Sequence, residues 1–269
     1  MMRAIVALAL AFCLGATESR AGEPKLTLED VLARHLDSIG PAGQRAGRTR
    51  SLKGRCELSA PTSGEVAGAL RGTFTLVSSP SEFGLKMQFP SASFPAESFT
   101  RQGAEAEVGF VLPGRRSGLG SFLSSNAVVL RENLLGGTLN GSWPLLAAAE
   151  SGAKLRYDGL KKRDKRMLHQ LGYRARKGQN ELDICILLEP ETYRHVMTIY
   201  KRSQAQGMAS DPTTSSSMSD LYQQLEETFA DFASVDGLTD PTSWTLRYEN
   251  RGSQTLSWKY DLKVIPQTE

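Results

Sequence analysis

Between Glu181 and Lys201, ELDICILLEPETYRHVMTIYK, apolar and polar positions alternate in a way that predicts two strands joined by a turn. Leu182, Ile184, Ile186 and Leu188 fall on one face at period two, and after the turn Tyr193, His195, Met197 and Ile199 do the same. Pro190 presets φ for the turn, and Glu189, Glu191 and Thr192 supply its polar corner. The opposite positions, Asp183, Cys185 and Leu187, then Val196 and Tyr200, are not uniformly polar. A hairpin with apolar residues on both sides belongs inside a larger sheet rather than at its margin.

The same period recurs on either side of it. Val66, Leu70, Phe74 and Leu76, then Phe83, Leu85, Met87 and Phe89, then Val108, Phe110 and Leu112 alternate with small or polar residues. Further strands are predicted near Leu52 to Leu58, from Leu155 and Tyr157, from Met167, His169, Leu171 and Tyr173, from Trp244, Leu246 and Tyr248, and from Leu256, Trp258, Tyr260, Leu262 and Val264. Ser79 to Ser81 marks a turn, Pro90 to Pro95 a looser connection, Lys161 to Arg166 (KKRDKR) a solvated hairpin tip, and Asn250 to Gly252 another turn. Ser203 to Ser219, rich in Ser and Thr and without a period, is expected to be a mobile loop. Leu221 to Val235 fits a helix as well as a strand.

Two stretches change to a helical period. Thr27 with Asp30 three residues on is a capping-box start, Leu26 can staple onto Val31, and Leu28, Val31, Leu32, His35, Leu36 and Ile39 recur at helical spacing until Gly40 and Pro41. From Ser117 to Leu135, Leu119, Phe122, Leu123, Leu130 and Leu134 share a stripe that Val128, Val129 and Leu135 widen, and Gly136 and Gly137 end it. Trp143 to Ala149 adds a short apolar piece. These segments are expected to cover an apolar face of the sheet.

At 269 residues the chain can bury a sizeable core without disulfide or metal staples. Met1 to Ala21 has the charged start, apolar run and small-residue end of a secretory signal, which leaves one domain over 22–269. Its apolar run is too short to span a bilayer, and Phe12 stands where a lipid-attachment signal at Cys13 needs a small residue. Loss of Arg3, Glu18 and Arg20 lowers the net charge from +3 to +2, too little to imply nucleic acid. The basic run Arg45 to Arg55 is expected to be a solvated connector, with anionic headgroups or an acidic partner as the alternative. Cys56 and Cys185 are expected to be two small buried residues rather than a bridge.

Candidate chemistry is sparse. His35, His169 and His195 each sit on an otherwise apolar face without a His, Cys or carboxylate at ligand spacing, which points to interior histidines rather than metal or catalysis. The chain has no P-loop, nucleophile elbow, zincin, C-x-x-C or dinucleotide motif. Glu226 and Glu227 lie in a polar run with no sign of a tuned acid and base. Asn140, Gly141 and Ser142 match a glycosylation sequon but read more simply as a turn.

The helix DVLARHLDSIG (Asp30 to Gly40), the segment PGRRSGLGSFLSSNAVVLRENLLGG (Pro113 to Gly137), the turn LEPETYRHVMTIYK (Leu188 to Lys201) and FADFASVDGLTDPTSWTLRY (Phe229 to Tyr248) together resemble exported bacterial proteins of the outer-membrane lipoprotein-sorting, LolA/LolB-like group. The resemblance implies an α+β fold: a strongly curved antiparallel sheet, a half-open β-barrel, with helices closing its concave face over an apolar cavity. It favours strand for Leu225 to Val235. Lys165 stands where the similar turn usually has Gly after Asp, which predicts a hairpin that is looser or of another type.

The alternation agrees, with about eleven or twelve strands. The resemblance further implies a non-enzymatic periplasmic binder or carrier, without cofactor, metal or nucleic acid, for the acyl chain of a lipid or lipoprotein. Expected lining residues are Phe74, Leu76, Phe83, Leu85, Met87, Val108, Phe110, Leu119, Phe122 and Leu123. The competing expectation is an envelope protein-interaction or lipid-stress-sensing module with a filled interior, which meets an acidic partner protein through Arg45 to Arg55 and Lys161 to Arg166; the envelope membrane is an alternative partner.

Overall fold

The computed structural model describes residues 26–41, 49–60, 69–147, 154–175, 182–203, 222–235, 237–251 and 255–265. The expected signal, Val66, the 203–219 loop beyond Ser203, and the Gly252 turn position lie outside them. One antiparallel sheet holds twelve strands: β1 (Arg50–Ser59), β2 (Ala69–Ser78), β3 (Glu82–Gln88), β4 (Ala96–Gln102), β5 (Glu105–Val108), β6 (Lys154–Arg163), β7 (Arg166–Arg174), β8 (Leu182–Leu188), β9 (His195–Ser203), β10 (Tyr222–Val235), β11 (Leu238–Arg251) and β12 (Thr255–Ile265). Their spatial order is β5-β4-β3-β2-β1-β12-β11-β10-β9-β8-β7-β6.

That order dictates where the helices go. The chain enters mid-sheet at β1, meanders to one edge at β5, and must reach the opposite edge before returning through β6 to β12. The connection runs over one face as α2 (Gly118–Ser125), α3 (Val128–Arg131) and 3-10 turns at Gly137–Leu139 and Pro144–Ala147. Helix α1 (Leu28–Ile39) joins this cover. Thr27 Oγ1 accepts from the Asp30 N–H at 3.2 Å while the Asp30 carboxylate accepts from the Thr27 N–H at 3.0 Å, and Val31, His35 and Ile39 are buried.

The sheet curves around that cover. β4 and β12 are four strand spacings apart, roughly 19 Å if flat, yet the Tyr260 hydroxyl on β12 donates to Glu97 on β4 at 2.7 Å. Gly54 of β1 helps: a Cβ there would overlap the Lys263 carbonyl oxygen and the Phe74 ring.

Five local outcomes differ from the sequence reading or decide it. β4 is absent from the strands that alternation predicts, because Glu97 and Arg101 occupy its inward positions beside Phe99. The helical stripe from Ser117 is broken at Asn126, whose backbone and side-chain N–H groups both donate to the Phe122 carbonyl. In the opening hairpin, Leu188 faces His195 while Leu187 faces Met197, so Val196 is the extra residue of a bulge. His195 therefore points to the helix-covered face, and Met197 pairs with Leu187 on the other. Of the two alternatives for the hairpin at Asp164 and Lys165, looseness is not what occurs: it is a two-residue turn with both residues at positive φ (44° and 68°). Tyr222 to Val235 is strand throughout.

Candidate functional site

Nine of the ten expected lining residues, all except Phe110, meet in one apolar cluster and are 6% exposed or less. They come from β2, β3, β5 and the inner stripe of α2, and so lie at the seam between sheet and cover. Phe110 does not belong there. The strand ends at Val108, the alternation lapses at Gly109, and Phe110 turns outward at 53% exposure beneath Arg116, whose guanidinium carbon is 4.1 Å from the ring centroid. The seam continues beyond these residues under the other half of the sheet, where Phe229, Trp244, Leu246 and Tyr248 belong to the same cluster as Leu134, Leu135 and Trp143 of the cover, and the Tyr248 ring lies 5.4 Å from that of Phe122 on α2.

Two buried glutamates fasten the cover. On β4, Glu97 Oε2 accepts from the Tyr260 hydroxyl, and Oε1 accepts from Ser117 Oγ. Ser117 caps α2, its oxygen accepting from the Gly120 N–H at 2.8 Å. On β10, Glu227 Oε2 accepts from the Gly136 N–H at 2.8 Å and the Trp244 indole N–H at 2.9 Å, while Oε1 lies 2.7 Å from the Tyr200 hydroxyl. Burial pushes each carboxyl up to about 7 against the downward pull of its hydrogen bonds. Glu226 and Glu227 form one polar run in the sequence; the structure separates them, with Glu227 fully buried among apolar neighbours. The sequence holds a signal for both clasps. Glu227 falls in phase with Leu225 and Phe229, and Glu97 in phase with Phe99, so each charge occupies an apolar position of its strand.

Further ties hold the rest of the cover. Arg50 at the start of β1 donates to the Thr138 carbonyl at 2.9 Å and pairs with Asp240. Asn140 is buried, accepts from Ser78 Oγ at 3.0 Å and donates to the Leu135 carbonyl, which fits the turn reading of its sequon. Cys56 and Cys185 are free buried thiols on β1 and β8, five strand positions apart.

The histidines sit in ring stacks. His195 lies against Trp143 with centroids 4.5 Å apart and tilts on Phe229 at 4.6 Å. Complete burial drives its pKa well below the ordinary value, so the ring is neutral. His35 meets Trp143 edge-on and is hydrogen-bonded through Nδ1 to the Tyr193 carbonyl, and His169 stacks on Tyr193 with Nδ1 2.7 Å from the Tyr157 hydroxyl. Among the described residues no three His, Cys, Asp or Glu side chains converge as a metal site would require.

Gly137 shows how closely the cover meets this stack. Its φ is +51°, and a Cβ there would lie 2.5 Å from His195 Nδ1. Gly137→Ala is expected to destabilise by about 2–3 kcal/mol, from the left-handed backbone and the displaced ring together; urea unfolding measures it, and a change below about 0.5 kcal/mol would contradict the packing described.

The outer face of α2 carries a shallow polar depression lined by Gly114, Arg116, Ser121, Ser124 and Ser125. It lies on the solvent side of the helix, away from the apolar seam.

No family model matches the sequence, and no curated protein matches it. Among solved structures, the chain is similar to a LolA superfamily protein from Nitrosomonas europaea, at 11% identity over 91% of this chain and 96% of that one with a TM-score of 0.46. It is similar to a domain from Vibrio parahaemolyticus described as an outer membrane lipoprotein-sorting protein, at 10% identity over 90% and 94% with a TM-score of 0.48. A DUF1329 family protein from Desulfovibrio piger matches at 10% identity over 91% and 96% with a TM-score of 0.41. The likeness is to LolA-like folds. It concerns the fold alone; the strand order, curvature and helical cover stand on this chain's own structure.

Proposed function

We propose that the chain is a non-enzymatic periplasmic binder or carrier of a lipid or lipoprotein acyl chain, taken between the curved sheet and its helical cover. The observation that carries this reading is the seam, apolar on both sides and roofed by short helical pieces rather than by one long rigid helix. Each methylene moved there from water gains about 0.8 kcal/mol, so a long acyl chain gains on the order of 10 kcal/mol without any specific polar contact. The lining is closed to solvent, so a cargo chain enters only when the cover parts from the sheet, and exchange is expected to be slow. The apolar run before Ala21 supports export, and among the described residues no helix is long and apolar enough to cross a membrane.

Protein isolated from its native envelope without detergent is expected to release a lipid or acylated species on solvent extraction, detectable by mass spectrometry. The purified protein is also expected to take up a fluorescent fatty acid. Absence of both overturns the carrier. It would leave a second reading, favoured by the closed lining: an envelope interaction or lipid-stress-sensing module whose seam is filled core.

A further inference from the structure

We propose that the β6–β7 hairpin docks the protein on an anionic lipid bilayer. β7 pairs with β8 only over His169–Tyr173, so the pairs Lys161↔Leu168, Lys162↔Met167 and Arg163↔Arg166 and the turn beyond them overhang the neighbouring strand. The overhang is roughly 10 Å long. Met167 on it and Leu160 at its base are each 48% exposed, two of the four large apolar side chains that stand exposed among the described residues. Leu160 lies opposite His169, and Met167 is two residues from His169, so both side chains stand on one face of the hairpin.

Five cations surround them. Lys161, Lys162, Arg163, Lys165 and Arg166 are all exposed. Arg166 pairs with Glu189 at 3.2 Å and Arg163 donates to Gln170 at 3.1 Å, while the three lysines form no salt bridge among the described residues. Lys165 occupies a position at φ 68° that glycine would take without strain, so a positive charge stands at the extreme tip in spite of the backbone.

A bilayer fits this surface better than a folded acidic partner does. Leu160 and Met167 form an exposed apolar pair at the base and on the edge of a two-stranded overhang, and a protein partner would need a matching recess, whereas the acyl boundary of a membrane accepts any such pair. Mobile ammonium groups need no fixed counter-charges, only a field of phosphates, and the apolar stems of lysine can lie along the interface while their heads stay at headgroup level. An acidic protein would use the charges and leave the apolar pair without a role. This docking asks nothing of the seam, so it stands or falls separately from acyl-chain binding.

The test is co-sedimentation of the purified protein with vesicles of phosphatidylethanolamine alone or mixed with phosphatidylglycerol. Binding is expected only with phosphatidylglycerol and is expected to weaken as salt rises. Lys161→Glu with Lys162→Glu is expected to weaken it at least about tenfold, and Leu160→Ser with Met167→Ser about tenfold. Lys161→Arg with Lys162→Arg is expected to retain it. All these side chains are exposed, so thermal unfolding should be unchanged and will report any variant that is merely misfolded. Equal binding to both vesicles, no binding, or binding indifferent to Leu160→Ser and Met167→Ser overturns the proposal. Capture by polyglutamate, equal in the wild type and the serine variant and without vesicle binding, overturns it in favour of an acidic protein.

Discussion

Glu227→Ala is expected to lower the stability of the protein by about 4 kcal/mol, whereas Glu227→Gln is expected to lower it by less than about 1.5 kcal/mol. The carboxylate gathers three buried donors: the Gly136 N–H, the Trp244 indole N–H and the Tyr200 hydroxyl. Truncation strands the Gly136 and Trp244 donors away from water and leaves Tyr200 only the Leu134 carbonyl, and each stranded donor costs about 1–3 kcal/mol, less what local collapse recovers. Glutamine keeps the arrangement for a reason visible at Tyr200. That hydroxyl lies 2.7 Å from Glu227 Oε1 and 3.1 Å from the Leu134 carbonyl, but it has only one proton. An amide N–H at the Oε1 position donates to Tyr200, which then donates to Leu134, while the amide oxygen serves Gly136 and Trp244. Urea denaturation of both variants, followed by tryptophan fluorescence, measures the difference. Equal losses for alanine and glutamine would show that the hydrogen bonds are not what Glu227 contributes.

The same carboxyls set the expected pH dependence. Glu97 and Glu227 titrate near 7 in the folded protein against an ordinary value of 4.5. Because the folded value is raised, the folded state holds more protons than the unfolded chain between these limits, and stability falls as pH rises through that window. The contribution is fully present below about pH 4.5 and lost a little above pH 7, roughly 3 kcal/mol for each glutamate. Other carboxylates act in the opposite sense, so the quantity to compare is the wild type minus the Glu97→Gln, Glu227→Gln double variant. Chemical denaturation at intervals from about pH 4 to about pH 8 is expected to show this difference shrinking as pH rises. A difference that stays flat or grows would mean that both groups remain ionised in the folded state.

Where the chain keeps a strict period, sequence and structure agree. The capping box at Thr27, the helical stripe ending at Ile39 and most strand positions are local signals, legible because one side of each element meets water. Elsewhere the local pattern is overruled from a distance. β4 hides its period because Glu97 is held by Tyr260 and Ser117, groups far away in sequence, and Arg101 donates to the carbonyls of Ser81 and Gly103. One extra residue at Val196 reverses the phase of β9, and an alternating pattern with apolar residues on both faces gives no warning of it. Nine of the ten residues expected to line the seam are legible as buried apolar strand and helix positions. Phe110 joins them only if the alternation is continued past Gly109, where the backbone no longer belongs to the sheet.

The two meanders touch along a single ladder, β1 with β12. A chain emerging from the ribosome can therefore assemble β1 to β5 early and β6 to β11 later, but no strand pairing joins these halves until β12 appears. Up to that moment β1 and β11 are bare flanks seeking a strand, and the nascent protein stays open to mispairing along both until β12 fills the gap.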